Sequence, residues 1–394
     1  MFRIQTLNQI SVKGLDLFGR DHYEVASELS HPDAVLLRSH KLDASQVPAS
    51  LKAIARAGAG VNNIDVAGYT ELGIPVFNTP GANANAVKEL VLAALLLGSR
   101  GIIEGVEWAR SLEIGDPAEM HKLVEAEKKR FKGHEIQGKT LGVVGLGAIG
   151  SRVAEMALAL GMNVVGYDPA LSVEAAWRLP SQVAKMENLP ALMARSDFVT
   201  LHLPLLDATR NLVNQELLRA ARPGMKLLNF ARDGIVDEQA VVAALEAGTL
   251  AAYLCDFPSP VLQGVAGVVA MPHIGASTSE SEDNCAVMAA QQLIDFLENG
   301  NIVNSVNFPS LVLERTEGHR IAVTNRNVPR MLGQVLAVLA DADINVIDML
   351  NKSRDDVAYN LLDLEVAPDE AALERIRAIE GVVNVRLIGA VDAA

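Results

Sequence analysis

An α/β protein built on a doubly wound parallel sheet, with a small ferredoxin-like unit at its C-terminal end, is the fold this sequence predicts. Three observations carry that expectation. Apolar strand-like runs alternate with helix-compatible stretches between Ala34 and Asn299. One of these units contains Gly145-Leu146-Gly147-Ala148-Ile149-Gly150 and, further on, Asp168. Residues 319–394 read as β-α-β-β-α-β, the ferredoxin-like order.

The elements follow from local chemistry. Ala34-Val35-Leu36-Leu37 is an apolar strand ending at Arg38-Ser39, and Leu51 to Arg56 is a short helix or strand. Ile74 to Asn78 is a strand that Pro75 marks as an edge, because proline cannot donate to a ladder. From Asn85 to Arg100 a long helix fits, with Val87, Leu90, Val91, Ala94 and Leu95 on one face. Residues 113–139 are charged and suit a solvated surface helix. Further strands are expected at Phe198–His202, Lys226–Phe230, Ala251–Cys255 and Val268–Met271. Ser279 to Asn299 is a long helix, ended by Asn299-Gly300. Phe308-Pro309-Ser310 and Glu314 to Gly318 read as a linker. In the last unit, strands are expected at Arg320–Thr324, from Ile344, at Ala358–Val366 and at Val382–Ile388, with helices at Met331–Ala340 and Glu370–Ile379.

The glycine unit is the most informative. The strand Leu141 to Val144 runs into Gly145, which allows a sharp turn; Gly147 lets the backbone approach a pyrophosphate, and Gly150 lets the following helix pack on the strand. Ala148 and Ile149 open that helix, whose N-terminus offers free N–H groups to negative charge. A second apolar strand, Asn163 to Tyr167, ends on Asp168, where a carboxylate can accept from ribose hydroxyls. It would repel a 2′-phosphate, and Pro169-Ala170-Leu171 holds no arginine to receive one, so NAD is favoured over NADP.

Composition narrows the partners. A chain of 394 residues calls for two or three domains. A net charge of −14 argues against nucleic acid or an anionic membrane as partner, but not against a small anion in a local basic pocket. Cys255 and Cys285 form neither a disulfide framework nor a metal site, which suits a reducing, cytoplasmic setting. The apolar run Leu90 to Gly98 is too short to cross a bilayer, and no signal-peptide core is expected at the N-terminus.

Chemistry is expected downstream of the glycine unit. Arg232 follows a strand at the carboxyl end, where a guanidinium can grip a carboxylate and polarise an adjacent carbonyl. The bland alternative is a surface arginine paired with Asp233 or Asp237. His273 closes the last strand of the series and suits a proton donor or acceptor; His202 competes with it from the end of another strand. Asp256 ends the strand before His273 and can accept from a carboxamide or cap a loop.

These residues, with Arg56 to Asp65, Asn78 to Asn83, Asn229 to Glu238 and Pro272 to Thr278, resemble the D-isomer-specific 2-hydroxyacid dehydrogenase family over residues 1 to about 308. Within it the whole chain looks most like phosphoglycerate dehydrogenases with a C-terminal ACT domain. The resemblance implies two Rossmann-like domains: a substrate domain split between 1–84 and 273–308, and an NAD domain at 85–272. A linker at 309–318 and a regulatory ACT domain at 319–394 follow. It implies that Arg232 orients the substrate carboxylate and His273 is the acid/base at the C2 oxygen. Ala148 and Ile149 would lie under the pyrophosphate, Asp256 would bind the nicotinamide amide, and the backbone of Phe230 and Ala231 would border the ring. Arg38, Ser39 and Lys41 would receive a substrate phosphate and Asn83 would contact substrate. The implied reaction is oxidation of 3-phosphoglycerate by NAD+, with no metal, in a homodimer or homotetramer, and with serine as a possible effector. A glyoxylate or hydroxypyruvate reductase and a non-catalytic NAD(H)-sensing protein are the rival readings.

Two departures stand out. The family places a carboxylate a few residues after the aspartate that corresponds to Asp256, and it pairs with the histidine. Here Phe257 to Gln263 contains no acid, and Gln263 could supply only a hydrogen bond. The expectation is an active enzyme whose acidic pH limb lies lower than that of a His–carboxylate version, which a Val261→Glu variant would restore. In the ACT domain, the family's Asn-x-Pro-Gly becomes Asn327-Val328-Pro329-Arg330 and a position often histidine is Asn325, while Asn327 and Asn345 match effector-contacting asparagines.

Overall fold

The computed structural model describes residues 1–389, apart from the side chains of Gln46 and Glu174; the last five residues of the C-terminal expectation lie outside the described ones. The chain divides into two compact units, residues 1–83 with 279–394 and residues 84–278.

The first unit opens with β1 (Phe2–Leu7), β2 (Tyr23–Ala26), β3 (Ala34–Leu37), β4 (Ala53–Arg56) and β5 (Val76–Phe77). They form a five-stranded sheet in the order β2-β1-β3-β4-β5, parallel throughout. All four residues of β3 are buried, as expected of a strand covered on both faces. Proline-flanked β5 is the edge, two residues long. One face packs into a core with Leu51, Ile64, Tyr69 and Ile74, and the other against the helix Ser279–Asn299 through Ala286, Ala290, Leu293 and Leu297.

The second unit holds β6 (Thr140–Val144), β7 (Asn163–Tyr167), β8 (Ala184–Lys185), β9 (Phe198–Leu201), β10 (Met225–Asn229), β11 (Leu250–Cys255) and β12 (Val268–Ala270). Its seven-stranded sheet is parallel in the order β12-β11-β10-β9-β6-β7-β8. The chain moves outward from β6 in one direction to β8, then returns to β9 and proceeds the other way. The switch point therefore lies between β6 and β9, where open α/β sheets bind ligands. One face is covered by the helices Ala84–Ser99 and Ala148–Ala159, the other by Leu189–Arg195, Gln215–Leu218 and Glu238–Glu246. The charged stretch at 113–139 forms the helix Pro117–Glu127, which buries none of its residues.

Residues 319–389 belong to the first unit. They form β13 (His319–Arg326), β14 (Val346–Arg354), β15 (Val357–Leu364) and β16 (Val382–Ile388), antiparallel in the order β14-β15-β13-β16. The helices Met331–Asp341 and Glu370–Arg377 cover one face through Val335, Leu339, Leu373 and Ile376. The other face contributes Ala322, Tyr359, Leu361 and Ile388 to the core that also contains Ile4, Phe77 and Phe296. The stretch read as a linker takes part in that core, with Leu311 fully buried and Leu313 nearly so.

An ion pair anchors this arrangement. Arg320 and Asp363, on adjacent strands, are both buried and joined by two hydrogen bonds, 2.5 and 2.8 Å. The same guanidinium donates to the carbonyls of Asn299, Leu313 and Glu314, and Thr316 donates to Asp363. Every charged atom in the pair is thus answered, the condition under which a buried ion pair can stand. Arg330 has φ 76° and ψ −4°, the left-handed region that favours glycine. Among the described residues no helix is long and apolar enough to cross a membrane.

Candidate active site

The second unit's register aligns the strand ends. Tyr167 pairs with Val144, Val144 with Leu201, Leu201 with Asn229, Asn229 with Cys255 and Cys255 with Ala270. The next residues on these strands are Asp168, Gly145, His202, Phe230, Asp256 and Met271, so they emerge side by side on the carboxyl edge. Neighbouring strands are about 4.8 Å apart. Arg232 and His273, each a little farther along its chain, leave the same edge two strands apart, roughly 10 Å at the backbone.

The glycine turn is built as its sequence suggests, and each glycine has its own reason. Gly145 has φ 88°, and a Cβ there would come within 2.4 Å of the His202 carbonyl oxygen. At Gly150 a Cβ would lie 1.9 Å from the Gly145 oxygen. Gly147 differs: its φ of −70° suits any residue, and a Cβ there would meet nothing within 4 Å. The fold itself therefore does not require glycine at 147; the open space above the N-terminus of the helix Ala148–Ala159 suits a dinucleotide's pyrophosphate. Gly147 and Ala148 are exposed, Ile149 is half-buried and Gly150 is buried. Asp168 accepts from the Leu146 N–H through Oδ2 at 2.8 Å and from Ala170 N–H through Oδ1 at 2.9 Å. The carboxylate is thereby tied to the glycine loop and keeps lone pairs for ribose hydroxyls. These residues fit NAD.

Two buried polar side chains hold the segments that carry Arg232 and His273. Asn229, fully buried, donates to the Arg232 carbonyl at 2.8 Å and accepts from the Ala231 N–H at 3.2 Å. This fixes the loop that carries Phe230 and Ala231, both buried, and aims the half-buried Arg232. Arg232 donates to the Ala231 carbonyl at 2.6 Å and forms no ion pair with a described residue, so neither Asp233 nor Asp237 neutralises it. Asp237 instead caps the helix Glu238–Glu246.

Asp256 plays the corresponding role for His273. It is 2% exposed and accepts from the N–H groups of Ile274 at 2.8 Å and Gly275 at 2.7 Å. His273 itself is exposed and has φ 56°, a left-handed conformation that a histidine adopts only when its surroundings impose it. The two bonds to Asp256 fix the Ile274 and Gly275 backbone that follows it. The Phe257 ring meets the imidazole edge-on, centroids 5.1 Å apart at 67°. No described residue forms an ion pair with His273, and Gln263 makes no hydrogen bond to it.

His202, the competing histidine, lies in a different setting. Burial depresses its pKa to about 3, Nε2 lies 3.0 Å from Thr200 Oγ1, and Nδ1 is buried with no partner among the described residues. A ring kept neutral inside the sheet edge does not exchange protons with substrate near neutral pH. Burial also raises the Cys255 thiol, removing it as a nucleophile.

The remaining expected contacts lie in the first unit. Ser39 and Lys41 are exposed and Arg38 is half-buried, in the loop after β3. The N–H groups of Ser39 and His40 both donate to Asn8 Oδ1, at 3.0 and 2.7 Å. Arg38 pairs with Glu282 at 2.7 Å. Asn83 has a buried Oδ1 with no partner among the described residues, an acceptor available to a hydroxyl donor. The sequence reading gave no part to Asn229, Phe257 or Glu282, which contact Arg232, His273 and Arg38. An asparagine ending a buried strand was the available signal for the first; the other two depend on contacts between distant segments.

Comparison with known proteins gives these features a context. Residues 92–275 match the family model described as D-isomer specific 2-hydroxyacid dehydrogenase, NAD binding domain. A D-3-phosphoglycerate dehydrogenase of Haemophilus influenzae is 31% identical, the alignment covering 98% of this chain and 94% of that protein. One from Methanocaldococcus jannaschii is 33% identical over 83% of this chain and 61% of its own length. The chain spans only 54% and 55% of two further relatives of that name, from Synechocystis and Archaeoglobus fulgidus. Among solved structures, the NAD+-bound 3-phosphoglycerate dehydrogenase of Entamoeba histolytica aligns with a TM-score of 0.61 at 28% identity, over 79% of this chain and 99% of that one. The apo D-mandelate dehydrogenase of Rhodotorula graminis aligns with a TM-score of 0.68 at 26% identity, over 80% and 99%.

Proposed function

The chain belongs to the D-isomer-specific 2-hydroxyacid dehydrogenase family, and we propose on that premise that it oxidises 3-phospho-D-glycerate to 3-phosphohydroxypyruvate with NAD+, the entry to serine synthesis. The observation that carries the reading is the single carboxyl edge from which the glycine turn, Asp168, Arg232, Asp256 and His273 all emerge. Bound NAD+ supplies the hydride acceptor. Arg232, free of a carboxylate partner, grips the substrate carboxylate and polarises the carbonyl that develops at C2. His273 takes the hydroxyl proton as its neutral imidazole and returns it in the reverse reaction. Asp256 keeps the imidazole facing the reacting oxygen through the loop backbone. Arg38, Ser39 and Lys41 receive the phosphate, and Asn83 accepts from a substrate hydroxyl.

The split substrate domain, inserted NAD domain and ACT domain follow from the same reading, as do a homodimer or homotetramer, a cytoplasmic setting and serine as effector. Equilibrium dialysis with serine tests the last of these; no binding would leave the C-terminal unit a role in assembly alone. One observation favours a second reading. Arg38 is already paired with Glu282, which suits a reductase of glyoxylate or hydroxypyruvate that needs no phosphate site. Formation of NADH, followed by its near-ultraviolet absorbance, separates the two. With 3-phosphoglycerate as substrate, Arg38→Ala should lower kcat/KM at least about tenfold more than it does for glyoxylate reduction. Purified protein that makes no NADH from phosphoglycerate would overturn the proposal.

A further inference from the structure

The cation expected to receive a substrate phosphate already has an anion on it. Arg38 Nη1 lies 2.7 Å from Glu282 Oε1, with the two side chains 41% and 47% exposed. Glu282 sits in the first turn of the helix Ser279–Asn299, beside Glu280 and Asp283. Asp283 is answered by Lys13 at 2.7 Å and Ser11 at 2.5 Å, whereas among the described residues Glu282 is paired with Arg38 alone. The loop offers little else. The Ser39 and His40 N–H groups are spent on Asn8, leaving the Ser39 hydroxyl, His40 and Lys41 side chains as the remaining donors.

We propose that Glu282 sets the substrate range by occupying Arg38, so that a phosphorylated 2-hydroxyacid binds only by displacing this carboxylate. The inference rests on the reading that Arg38 receives the phosphate. Specificity is a difference of affinities, and a like charge at the binding cation lowers the affinity for one competitor only. A dianionic phosphate must break the ion pair and then sit beside the freed carboxylate. An unphosphorylated 2-hydroxyacid, held by its carboxylate elsewhere, does neither. The pair is half exposed, so solvent screens it and the effect is moderate.

The test compares Glu282→Gln and Glu282→Ala with the parent protein, reading two quantities. One is the ratio of kcat/KM for 3-phosphoglycerate to that for D-glycerate. The other is the Kd of 3-phosphoglycerate, measured by calorimetry without turnover. Both variants should raise the ratio and tighten the Kd by roughly two- to fivefold, the range of an exposed ion pair. A ratio and Kd that stay level, or that move the other way because Glu282 orients Arg38 for binding, would overturn the proposal. The two ideas fail separately. A parent protein that oxidises D-glycerate but not phosphoglycerate, with variants that gain phosphoglycerate affinity, sinks the phosphoglycerate reading and keeps this one. A parent protein active on phosphoglycerate, with variants of unchanged ratio, does the reverse.

Discussion

Replacing Asp256 by alanine should uncouple His273 from the fold, and the structure gives the size of the effect. The carboxylate accepts two backbone N–H groups, from Ile274 and Gly275, at 2.8 and 2.7 Å inside a buried site. Hydrogen bonds to a charged group contribute about 1.5–3 kcal/mol each, and removing a buried carboxylate returns part of its desolvation cost. The net loss of stability is therefore about 2–4 kcal/mol, read as a lower urea midpoint at constant m-value. The consequence for turnover is larger in kind. His273 occupies a left-handed conformation, φ 56°, that costs a non-glycine residue about 1–2 kcal/mol. With its tether gone, the loop relaxes and the imidazole moves from the reacting oxygen; a shift of about 1 Å costs roughly a hundredfold in rate. Asp256→Asn should be almost as damaging, because one oxygen becomes an NH2 group facing an N–H donor. Steady-state NADH formation measures both. An Asp256→Ala protein with kcat within about threefold of the parent would refute the tether.

Four further outcomes are expected. Gly150→Ala places a Cβ 1.9 Å from the Gly145 carbonyl oxygen, so the glycine turn must shift, and NADH affinity by fluorescence titration should fall at least about tenfold. Arg320→Met leaves Asp363 charged, buried and half-satisfied, and should cost about 3–5 kcal/mol in urea unfolding; a loss under about 1 kcal/mol would contradict the clamp. His202 stays neutral in the folded protein down to about pH 3, whereas in the unfolded chain it takes up a proton near pH 6.5. Stability should thus be lost as pH falls from about 6.5 toward 3, by up to about 1.4 kcal/mol per pH unit, and His202→Asn should show a shallower slope across that window. Parallel curves for the two proteins would remove the argument. Arg330→Gly relieves a left-handed arginine but adds freedom to the unfolded chain, for a net gain of roughly 0.5 kcal/mol in thermal or urea unfolding.

The parts legible in the sequence were those whose cause is local. The Gly145–Gly150 turn, the carboxylate after β7 and the helix Ser279–Asn299 each follow from residues within one or two turns of chain. The order β-α-β-β-α-β of the last segment was readable because its two helices are amphipathic and β13 and β15 hold apolar runs and are largely buried. Strand β1 was not drawn from the sequence although Phe2, Ile4 and Thr6 alternate with Arg3 and Gln5, because six residues carry too little periodicity to separate from a coil. What held the site together was not local. The Asp256 contacts to residues 274 and 275, and the Arg38 contact to Glu282, join segments whose proximity exists only once the strands are in register. The burial of Leu311 and Leu313 was hidden for a similar reason: they look like isolated apolar residues until other segments close over them.

The shared core around Phe77, Phe296, Leu361 and Ile388 dictates a timetable for the newborn chain. Residues 84–278 form an uninterrupted stretch, so their sheet can close soon after it leaves the ribosome. Residues 1–83 have no such opportunity. They need the helix Ser279–Asn299 to cover one side of their sheet, and behind it the strands His319–Arg326, Val357–Leu364 and Val382–Ile388. The opening segment therefore waits, with its apolar side uncovered, until residues 319–388 have been made. A ribosome stalled near residue 318 would release a sticky half-product.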